Sequence, residues 1–281
     1  MAEQTNDEGP IFTDHCVVFM DFLGFTNILR NGDAKMAALL KVLKALRASN
    51  SHFQITSHAI SDHYGSVELR ATISAFSDHV VISCPLQRMY IDKGLNENTI
   101  PYMVMDHARR FIAEIAAVAF TLGLLVRGGI TVGKLYHHEG VVFGQALVDA
   151  YRLESAVAVY PRVVVSSEMA GTPAWRTEDR RMVKRDFDGV YHLDYLHPLI
   201  MSFSPGGINW ITGWSKRMEI VQEEIQKTIA DLQSKGLLKE AAKWGWFGNR
   251  IAESMKTLPQ DGLSDHGLTR EQLTRLGLDP T

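Results

Sequence analysis

The sequence predicts an α+β domain, in which helices pack on a mostly antiparallel sheet, followed by a helical C-terminal extension. Three observations predict this class. Short β-branched runs alternate with longer stretches whose apolar residues recur at helical spacing. Residues 67–84 (VELRATISAFSDHVVISC) are typical of two strands joined by a tight turn. From about Trp214 onward, charged residues are interleaved with helix formers over two long segments.

The first elements alternate between strand and helix. Residues 14–21 (DHCVVFMD) are apolar and β-branched through their middle, as in a strand buried on both faces. Asp33 is a candidate N-cap for a helix that runs to about residue 49. Residues 51–66 are polar and rich in histidine, so we expect a loop there.

The middle of the chain predicts a hairpin, a helix and a glycine-containing strand. The turn of the hairpin falls at residues 76–78, and a long helix spans about 100–122. Residues 124–136 (LLVRGGITVGKLY) form a strand whose internal glycines indicate a bulge or a close backbone approach.

The last elements complete a β-α-β-β-α-β-α-β order. A helix begins at about Gln145, and residues 162–166 and 189–196 are further strands. This order predicts a ferredoxin-like arrangement. We expect a flexible leader over residues 1–13, a catalytic-sized domain over 14–200 and a helical extension over 201–281.

Composition excludes several classes of protein. The chain has 281 residues, of which 46% are hydrophobic and 22% are charged, and its net charge of −3 is unlike that of a nucleic-acid binder. No apolar run approaches the ~20 residues that span a bilayer, so we expect no membrane association. The two cysteines, Cys16 and Cys84, lie in apolar runs and predict free thiols in a reducing compartment. The acidic N-terminus is unlike a signal or transit peptide, and we expect a cytoplasmic protein.

Two aspartates stand where an apolar strand meets a turn. Asp21 follows VVFM, and Asp78 lies in SAFSDHVVIS. Each by itself is more often a helix cap or a turn residue. Placed side by side, the two carboxylates would repel each other and would need a cation, for which oxygen ligands favour Mg²⁺ or Mn²⁺. Two ions about 4 Å apart would activate a hydroxyl and stabilise a leaving pyrophosphate.

Several motifs then occur in a recognisable order. The turn FLGFT follows Asp21, the hairpin carries Asp78, VRGGITVG forms the glycine-containing strand, and GVVFGQALVDAYRLE places Arg152 eight residues after Gly144. With PRVVVSSEM after them, these segments resemble the class III nucleotidyl cyclases over about residues 15–200. By itself, Arg152 would be read as a helix-surface residue paired with Asp149 or Glu154.

The resemblance implies a homodimer whose active sites are shared between the chains. Asp21 and Asp78 of one chain would bind two Mn²⁺ or Mg²⁺ ions together with the Phe22 carbonyl, and Arg152 of the other chain would stabilise charge on the α-phosphate. The same resemblance implies that the turn after Asp21 contacts the phosphates. Its residues are Phe22, Leu23, Gly24, Phe25 and Thr26.

The residues that read a purine base in these cyclases are replaced here. The lysine position four residues before Asp78 is Ser74, the position three before Gly144 is Val141, and the ribose-orienting asparagine is Val148. Thr72 and Ser74 would face a pyrimidine edge if they, and not Ile73 and Ala75, share the active face of their strand. Lys184 and Arg185 are the nearest candidates for a late phosphate-binding lysine.

One branch of the class shows this pattern, the pyrimidine cyclases of bacterial Pycsar antiphage defence, with GxALxxAYxLE on the arginine helix and a tryptophan-rich helical C-terminus. This resemblance implies that UTP is converted to cyclic UMP, which activates a separate effector protein. The alternatives are CTP as substrate, a purine cyclase with an unusual base pocket, and a catalytically silent dimerisation or nucleotide-sensing module.

Four further residues are candidates for chemistry. His137 and His138 are adjacent on a strand and would point to opposite faces, so we expect no joint chelation. His79 is expected to point away from Asp78. Arg127 would either reach a phosphate or form a structural ion pair.

Overall fold

A computed structural model of the chain describes residues 12–31, 33–48, 52–56, 66–86, 99–173, 175, 182–196, 199 and 210–257. Residue contacts divide the chain into two compact units, Met1–Asp194 and Tyr195–Thr281. The first is mixed α/β and the second is helical within the described residues.

The strands and helices of the first unit follow one another in the expected alternation. The strands are β1 (Thr13–Leu23), β2 (His52–Thr56), β3 (Ser66–Arg70), β4 (Thr72–Phe76), β5 (His79–Pro85), β6 (Leu125–His138), β7 (Val141–Phe143), β8 (Val163–Val165), β9 (Val183–Arg185) and β10 (Tyr191–Leu193). The helices are α1 (Phe25–Asn31), α2 (Asp33–Ala48), α3 (Thr99–Thr121), α4 (Gln145–Arg152), which continues into a π-helical turn (Leu153–Val157), and α5 (Ser167–Gly171).

The main sheet is mostly antiparallel. Its strands lie in the order β4-β5-β1-β6-β8-β10-β9, and β7 pairs with β6 at the side. Only β6 and β8 run parallel among the described pairs. β2 and β3 form a separate two-stranded sheet. The expected mostly antiparallel sheet with helices is therefore confirmed.

β1 lies in the middle of the sheet and is covered on both faces. Val17 and Phe19 point to one face, where they pack with Ala146 and Ala150 of α4. The alternate side chains point to α3, where Cys16 helps to line a cavity of about 30 Å³. This double coverage explains why residues 15–22 are all buried and why the sequence lacks a polar face there.

Two glycines of β6 allow helix α4 to lie directly on the sheet. A Cβ atom at Gly129 would lie 2.5 Å from Cβ of Leu153, and one at Gly128 would lie 2.5 Å from the Phe19 carbonyl oxygen. Real Cβ atoms do not approach so closely, so only glycine fits at both positions. The predicted close backbone approach in this strand is confirmed, and it fixes the C-terminal end of α4 against β1 and β6.

Two sequence expectations need correction. Residues 51–66 were expected to be a loop, yet His52–Thr56 form β2, paired with β3. Residues 67–84 were expected to form two strands, but they contribute to three, β3, β4 and β5. Ala71 interrupts the strand pattern, and β3 does not belong to the main sheet. The leader was expected to extend to residue 13, but Thr13 already pairs with Leu135 and belongs to β1. Residues 1–11 lie outside the described part of the chain.

The far edge of the sheet contains a short hairpin, β9–β10, of which only β10 was expected. Arg162, fully buried before β8, attaches the turn of this hairpin to the sheet. Its Nη1 donates to Asp186 Oδ2 at 2.7 Å and to Asp188 Oδ1 at 2.9 Å. Pairing and hydrogen bonding offset the cost of burying the charges.

Two long helices lie within the described residues of the second unit, α6 (Trp210–Ser234) and α7 (Leu238–Thr257), and they pack against each other. Both were expected, with a break at Lys235 and Gly236. Gly236 has a φ of +72°, a conformation that favours glycine and ends the first helix. None of the helices within the described residues is long and apolar enough to cross a bilayer.

Candidate metal centre

The β4–β5 hairpin brings Asp78 beside Asp21. Asp21 of β1 lies directly opposite His79 of β5, so the turn residue Asp78 falls next to the end of β1. The Phe22 N–H donates to the Asp78 carbonyl oxygen at 3.1 Å, which ties the two backbones together. Ser77, with a φ of 55°, makes the turn and donates its hydroxyl to Asp78 Oδ1 at 2.8 Å. The expected juxtaposition of the two carboxylates is confirmed.

His79 joins this pair, contrary to the sequence expectation. One ligand atom from each of Asp21, Asp78 and His79 lies within 4.8 Å of the others, and His79 Nδ1 is 3.3 Å from Asp78 Oδ1. The imidazole ring is held between two aromatic rings, stacked on Phe76 at 5.6 Å between centroids and tilted against Phe19 at 5.2 Å. A strand residue next to a turn twists with the hairpin, and this packing turns His79 toward Asp78 instead of away from it.

The chemistry of these donors fits a divalent cation. Two carboxylates offer up to four oxygens, and an imidazole nitrogen is a good ligand for Mn²⁺ and other first-row transition metals. Asp78 and His79 are each about a quarter exposed, so an ion can reach the group from solvent. The cluster would therefore hold a cation with ligands from one strand and one hairpin.

Asp21 is already paired with a positive charge. Arg127, opposite Asp21 on β6, donates from Nε to Asp21 Oδ2 at 3.0 Å, and its Nη2 lies 3.0 Å from the same oxygen. The same Nε lies 2.7 Å from Glu154 Oε1, but its N–H points to Asp21. Burial raises the pKa of Glu154 above its ordinary value, and Arg127 opposes that change. Of the two sequence interpretations of Arg127, the ion pair is what the structure shows.

The turn expected to contact phosphates follows directly. Gly24 has a φ of +97°, which favours glycine, and helix α1 begins at Phe25. The amides of Phe25 and Thr26 have no carbonyl within the helix to bond, because each stands in the first turn. Leu23 is half-buried at the end of β1, while the side chain of Phe22 is buried.

Ser74 and Thr72 share a face of β4, and the alternative pair is excluded. Ile73 is buried in the cavity beneath α3, which leaves Thr72 and Ser74 on the opposite face. There, the Ser74 hydroxyl lies 2.8 Å from His137 Nε2, and the Ser83 hydroxyl lies 2.8 Å from His137 Nδ1. Burial, with a smaller effect of His15, lowers the pKa of His137 to about 4, so the ring is neutral at pH 7.

Val141 lies on the hairpin that follows His137. It pairs with His138 on the short β6–β7 hairpin and is largely exposed. His137 and His138 point to opposite faces, as expected: His137 is buried, whereas His138 is exposed. Val141 thus lies opposite the exposed His138, whereas Ser74 contacts the buried His137.

Arg152 is the last residue of α4 and lies on the protein surface. Its side chain is 70% exposed, and its Nη1 is 3.6 Å from Asp149 Oδ1. Such an arrangement leaves the guanidinium available to a neighbouring molecule, because an exposed ion pair of this length contributes little. Lys184, by contrast, is held 2.6 Å from the buried Asp194, which gives it a structural partner.

Sequence reasoning was wrong about His79, named Glu154 only as a possible partner of Arg152, and did not foresee the contacts of His137. Glu154 is the last residue of the motif AYRLE, so the sequence shows its position next to Arg152. It does not show its partner, because Arg127 lies 27 residues away on another element. His137 was judged only for chelation, and its role as the partner of Ser74 depends on how β6 crosses the sheet.

Neither a scan of protein-family models nor a search of curated proteins gives a match to this chain.

Proposed function

We propose that the protein is a metal-dependent pyrimidine nucleotide cyclase that converts UTP to 3′,5′-cyclic UMP and diphosphate. The observation that supports this most is that Asp21 and Asp78 lie together with His79 at one end of the central strand β1. The turn of residues 22–26, which leads into helix α1, follows Asp21 directly. In the same proposal the mixed α/β domain is a ferredoxin-like class III cyclase fold.

The proposed reaction needs no covalent intermediate with the protein. The ribose 3′-oxygen forms a bond to the α-phosphorus, the bond from that phosphorus to the bridging oxygen of the diphosphate breaks, and the hydroxyl proton leaves to solvent. Two divalent ions, when bound, would supply positive charge at the hydroxyl and at the triphosphate. The protein's own contribution is positioning and electrostatic stabilisation.

The predicted site residues have distinct roles in the proposed reaction. Asp21 and Asp78 would hold the cations, with the Phe22 carbonyl as a further ligand, and the amides of Phe25 and Thr26 would contact phosphate oxygens. Arg152 of the partner subunit stabilises the charge that develops on the α-phosphate. Its exposure at the end of α4 supports a role across a dimer interface.

The base would be read near Ser74. The Ser74 hydroxyl, 2.8 Å from the neutral imidazole of His137, can donate a hydrogen bond to the polar edge of a pyrimidine or accept one from it. Thr72 shares its face, and Val141 would border the base. UTP is the proposed substrate and CTP the alternative.

In this proposal the cyclic nucleotide is a second messenger in antiphage defence, made in the cytoplasm and detected by a separate effector protein.

The test is a product assay with all four nucleoside triphosphates. The purified protein is incubated with each of them and Mn²⁺, and the products are identified by mass spectrometry. Cyclic UMP as the main product supports the proposal, and cyclic CMP supports its cytidylate alternative. Cyclic AMP or GMP alone would end the pyrimidine assignment, and no cyclic product from any substrate would leave a silent module as the better interpretation.

A further inference from the structure

Arg127 lies between two carboxylates that belong to different elements. Asp21 comes from β1, and Glu154 comes from the π-helical turn that follows Arg152 at the end of α4. The guanidinium makes two contacts of 3.0 Å to Asp21 Oδ2, and its Nε is 2.7 Å from Glu154 Oε1. A single N–H cannot be aligned with both oxygens, and in the observed arrangement it is aligned with Asp21.

Glu154 therefore has an unmet hydrogen-bonding capacity. The residue is only 2% exposed, and among the described residues its Oε1 has no hydrogen-bond donor. A buried acceptor without a donor destabilises the arrangement, because it has lost its hydrogen bonds to water without replacement. Because Nε is already within 2.7 Å, a small rotation of the guanidinium would supply the missing bond.

A cation bound by Asp21 would favour that rotation. Arg127 occupies Asp21 Oδ2, and a divalent ion at the Asp21–Asp78–His79 group would repel the guanidinium. Three carboxylates and one guanidinium leave this region with two negative charges when His79 is neutral, which one divalent ion balances. With Arg127 on Glu154, both charges would remain on the two metal-binding aspartates.

We propose that Arg127 is an exchangeable counter-ion of Asp21 and that Glu154 accepts it when a divalent cation binds. Glu154 is then a positioning residue, which acts on the cation through Arg127 without touching it. The inference rests on the proposed function in one respect, since it assumes that the cation binds at Asp21 and Asp78. It adds a link between metal binding and the turn next to Arg152.

A double-mutant cycle separates this exchange from a plain electrostatic effect. If Glu154 only attracts cations through its charge, Glu154→Gln weakens metal binding equally whether or not Arg127 is present. If it accepts Arg127, the loss requires Arg127, because without an alternative partner the guanidinium stays on Asp21.

The experiment measures Mn²⁺ binding to the full chain by electron paramagnetic resonance at pH 7.5. The wild type, Glu154→Gln, Arg127→Gln and the double variant are compared, and circular dichroism checks that each is folded. We expect Glu154→Gln to weaken Mn²⁺ binding by about tenfold or more. In the Arg127→Gln background the same change should alter binding by less than about twofold. Equal losses in both backgrounds, no loss in Glu154→Gln, or no Mn²⁺ binding by the wild type would overturn the exchange.

A second measurement keeps the proposal falsifiable if Glu154→Gln does not fold. The arginine Nε–H signals of the wild type are followed by NMR during titration with Mg²⁺, and the Arg127 signal is assigned by its loss in Arg127→Gln. The exchange predicts a shift of that signal that saturates with Mg²⁺, and an unchanged signal at saturating Mg²⁺ would overturn it. A wild type that binds Mn²⁺ and shows the shift, yet makes no cyclic nucleotide, refutes the proposed function and leaves this inference standing.

Discussion

At the scale of single residues, the candidate metal centre brings together negative charges that have to be balanced. Asp21 and Asp78 belong to neighbouring strands and would repel each other, so something positive has to lie between or beside them. In the structure that charge comes from Arg127, and we infer that a divalent ion replaces it. Asp21 is thus paired with Arg127 in the structure, and in our proposal a divalent ion takes the place of that positive charge.

The first residue-scale prediction concerns His79 and the choice of metal. Replacing His79 with alanine removes the imidazole donor, so Mn²⁺ binding should weaken by about tenfold while Mg²⁺ binding, which prefers oxygen ligands, changes little. Isothermal titration calorimetry with each ion measures both effects. His138→Ala, at a largely exposed histidine, is the matched control. An equal loss for both ions, or none for Mn²⁺, would contradict a role of His79 as ligand.

The second residue-scale prediction concerns His137 and pH. Burial lowers the pKa of this histidine from 6.5 to about 4, so between these values the unfolded chain takes up a proton that the folded chain does not. The free energy of unfolding therefore falls as the pH drops from 6.5 toward 4, by at most about 2 kcal/mol at pH 5 for this one group. Urea denaturation at pH 7.5 and pH 5 measures it.

His137→Gln serves as the comparison for that experiment. Glutamine keeps hydrogen-bonding groups beside Ser74 and Ser83 but does not titrate, so the variant should lose less stability between the two pH values. If wild type and variant lose the same amount, His137 is not buried in its neutral form.

The sequence was sufficient to place Asp21, Asp78 and the turn after Asp21, because each follows directly from an apolar strand that ends in a polar residue. It was insufficient for His79, Arg127 and Glu154. The partners of these three residues depend on the twist of the β4–β5 hairpin and on the way β6 crosses under α4. No local pattern of residues in the sequence predicts the twist or the crossing. The sequence left open whether Thr72 and Ser74 or Ile73 and Ala75 share the active face of β4, and the contact of Ser74 with His137 joins residues 63 apart.

At the scale of elements, the packing of α4 on β6 decides where Arg152 and Glu154 lie. Gly129→Ala would place a methyl group 2.5 Å from Leu153 Cβ and 3.0 Å from the Glu154 amide nitrogen. Overpacking of this kind costs about 1–3 kcal/mol, and the end of α4 should move away from Asp21. We expect a lower urea midpoint and a loss of most cyclase activity.

The control for that prediction is Gly171→Ala. Nothing lies within 4 Å of a Cβ atom at Gly171, so this change should alter stability by less than about 0.5 kcal/mol. If both variants behave alike, the close approach of α4 to β6 does not matter for stability.

Elements with a strong apolar pattern were predicted well, and weakly patterned ones were not. β1 is a continuous buried run, and α3 has apolar residues at helical spacing, so both were recognised within about two residues. β2 alternates Phe53 and Ile55 with polar residues over only five positions, and this short pattern was read as part of the polar, histidine-rich stretch around it. β9 has three residues, and its hairpin depends on the buried Arg162 contacts with distant aspartates.

At the scale of the whole molecule, the exposed Arg152 and the proposed dimer make a direct prediction. Asp21→Ala and Arg152→Ala should each be inactive alone, because each removes one half of every site. Mixed under conditions that allow subunit exchange, they should recover about a quarter of wild-type activity, since half of the dimers are mixed and each has one intact site. Cyclic nucleotide yield after mixing measures this.

Subunit exchange has to be shown independently, for example with two fluorescent labels. Demonstrated exchange without any recovery of activity would contradict sites shared between chains, whereas activity of Arg152→Ala alone would remove this arginine from the reaction.

The most direct test of the account is cyclic UMP formation from UTP and Mn²⁺, measured by mass spectrometry for the wild type, Asp78→Asn and Asp14→Asn. Asp14 is exposed at the other end of β1, where it pairs with Lys134 at 2.9 Å, and it serves as the control carboxylate. We predict cyclic UMP from the wild type and from Asp14→Asn, and at least a hundredfold less from Asp78→Asn. Equal yields from Asp78→Asn and the wild type, or no cyclic UMP from the wild type, would contradict the central claim that Asp21 and Asp78 form the metal centre of a uridylate cyclase.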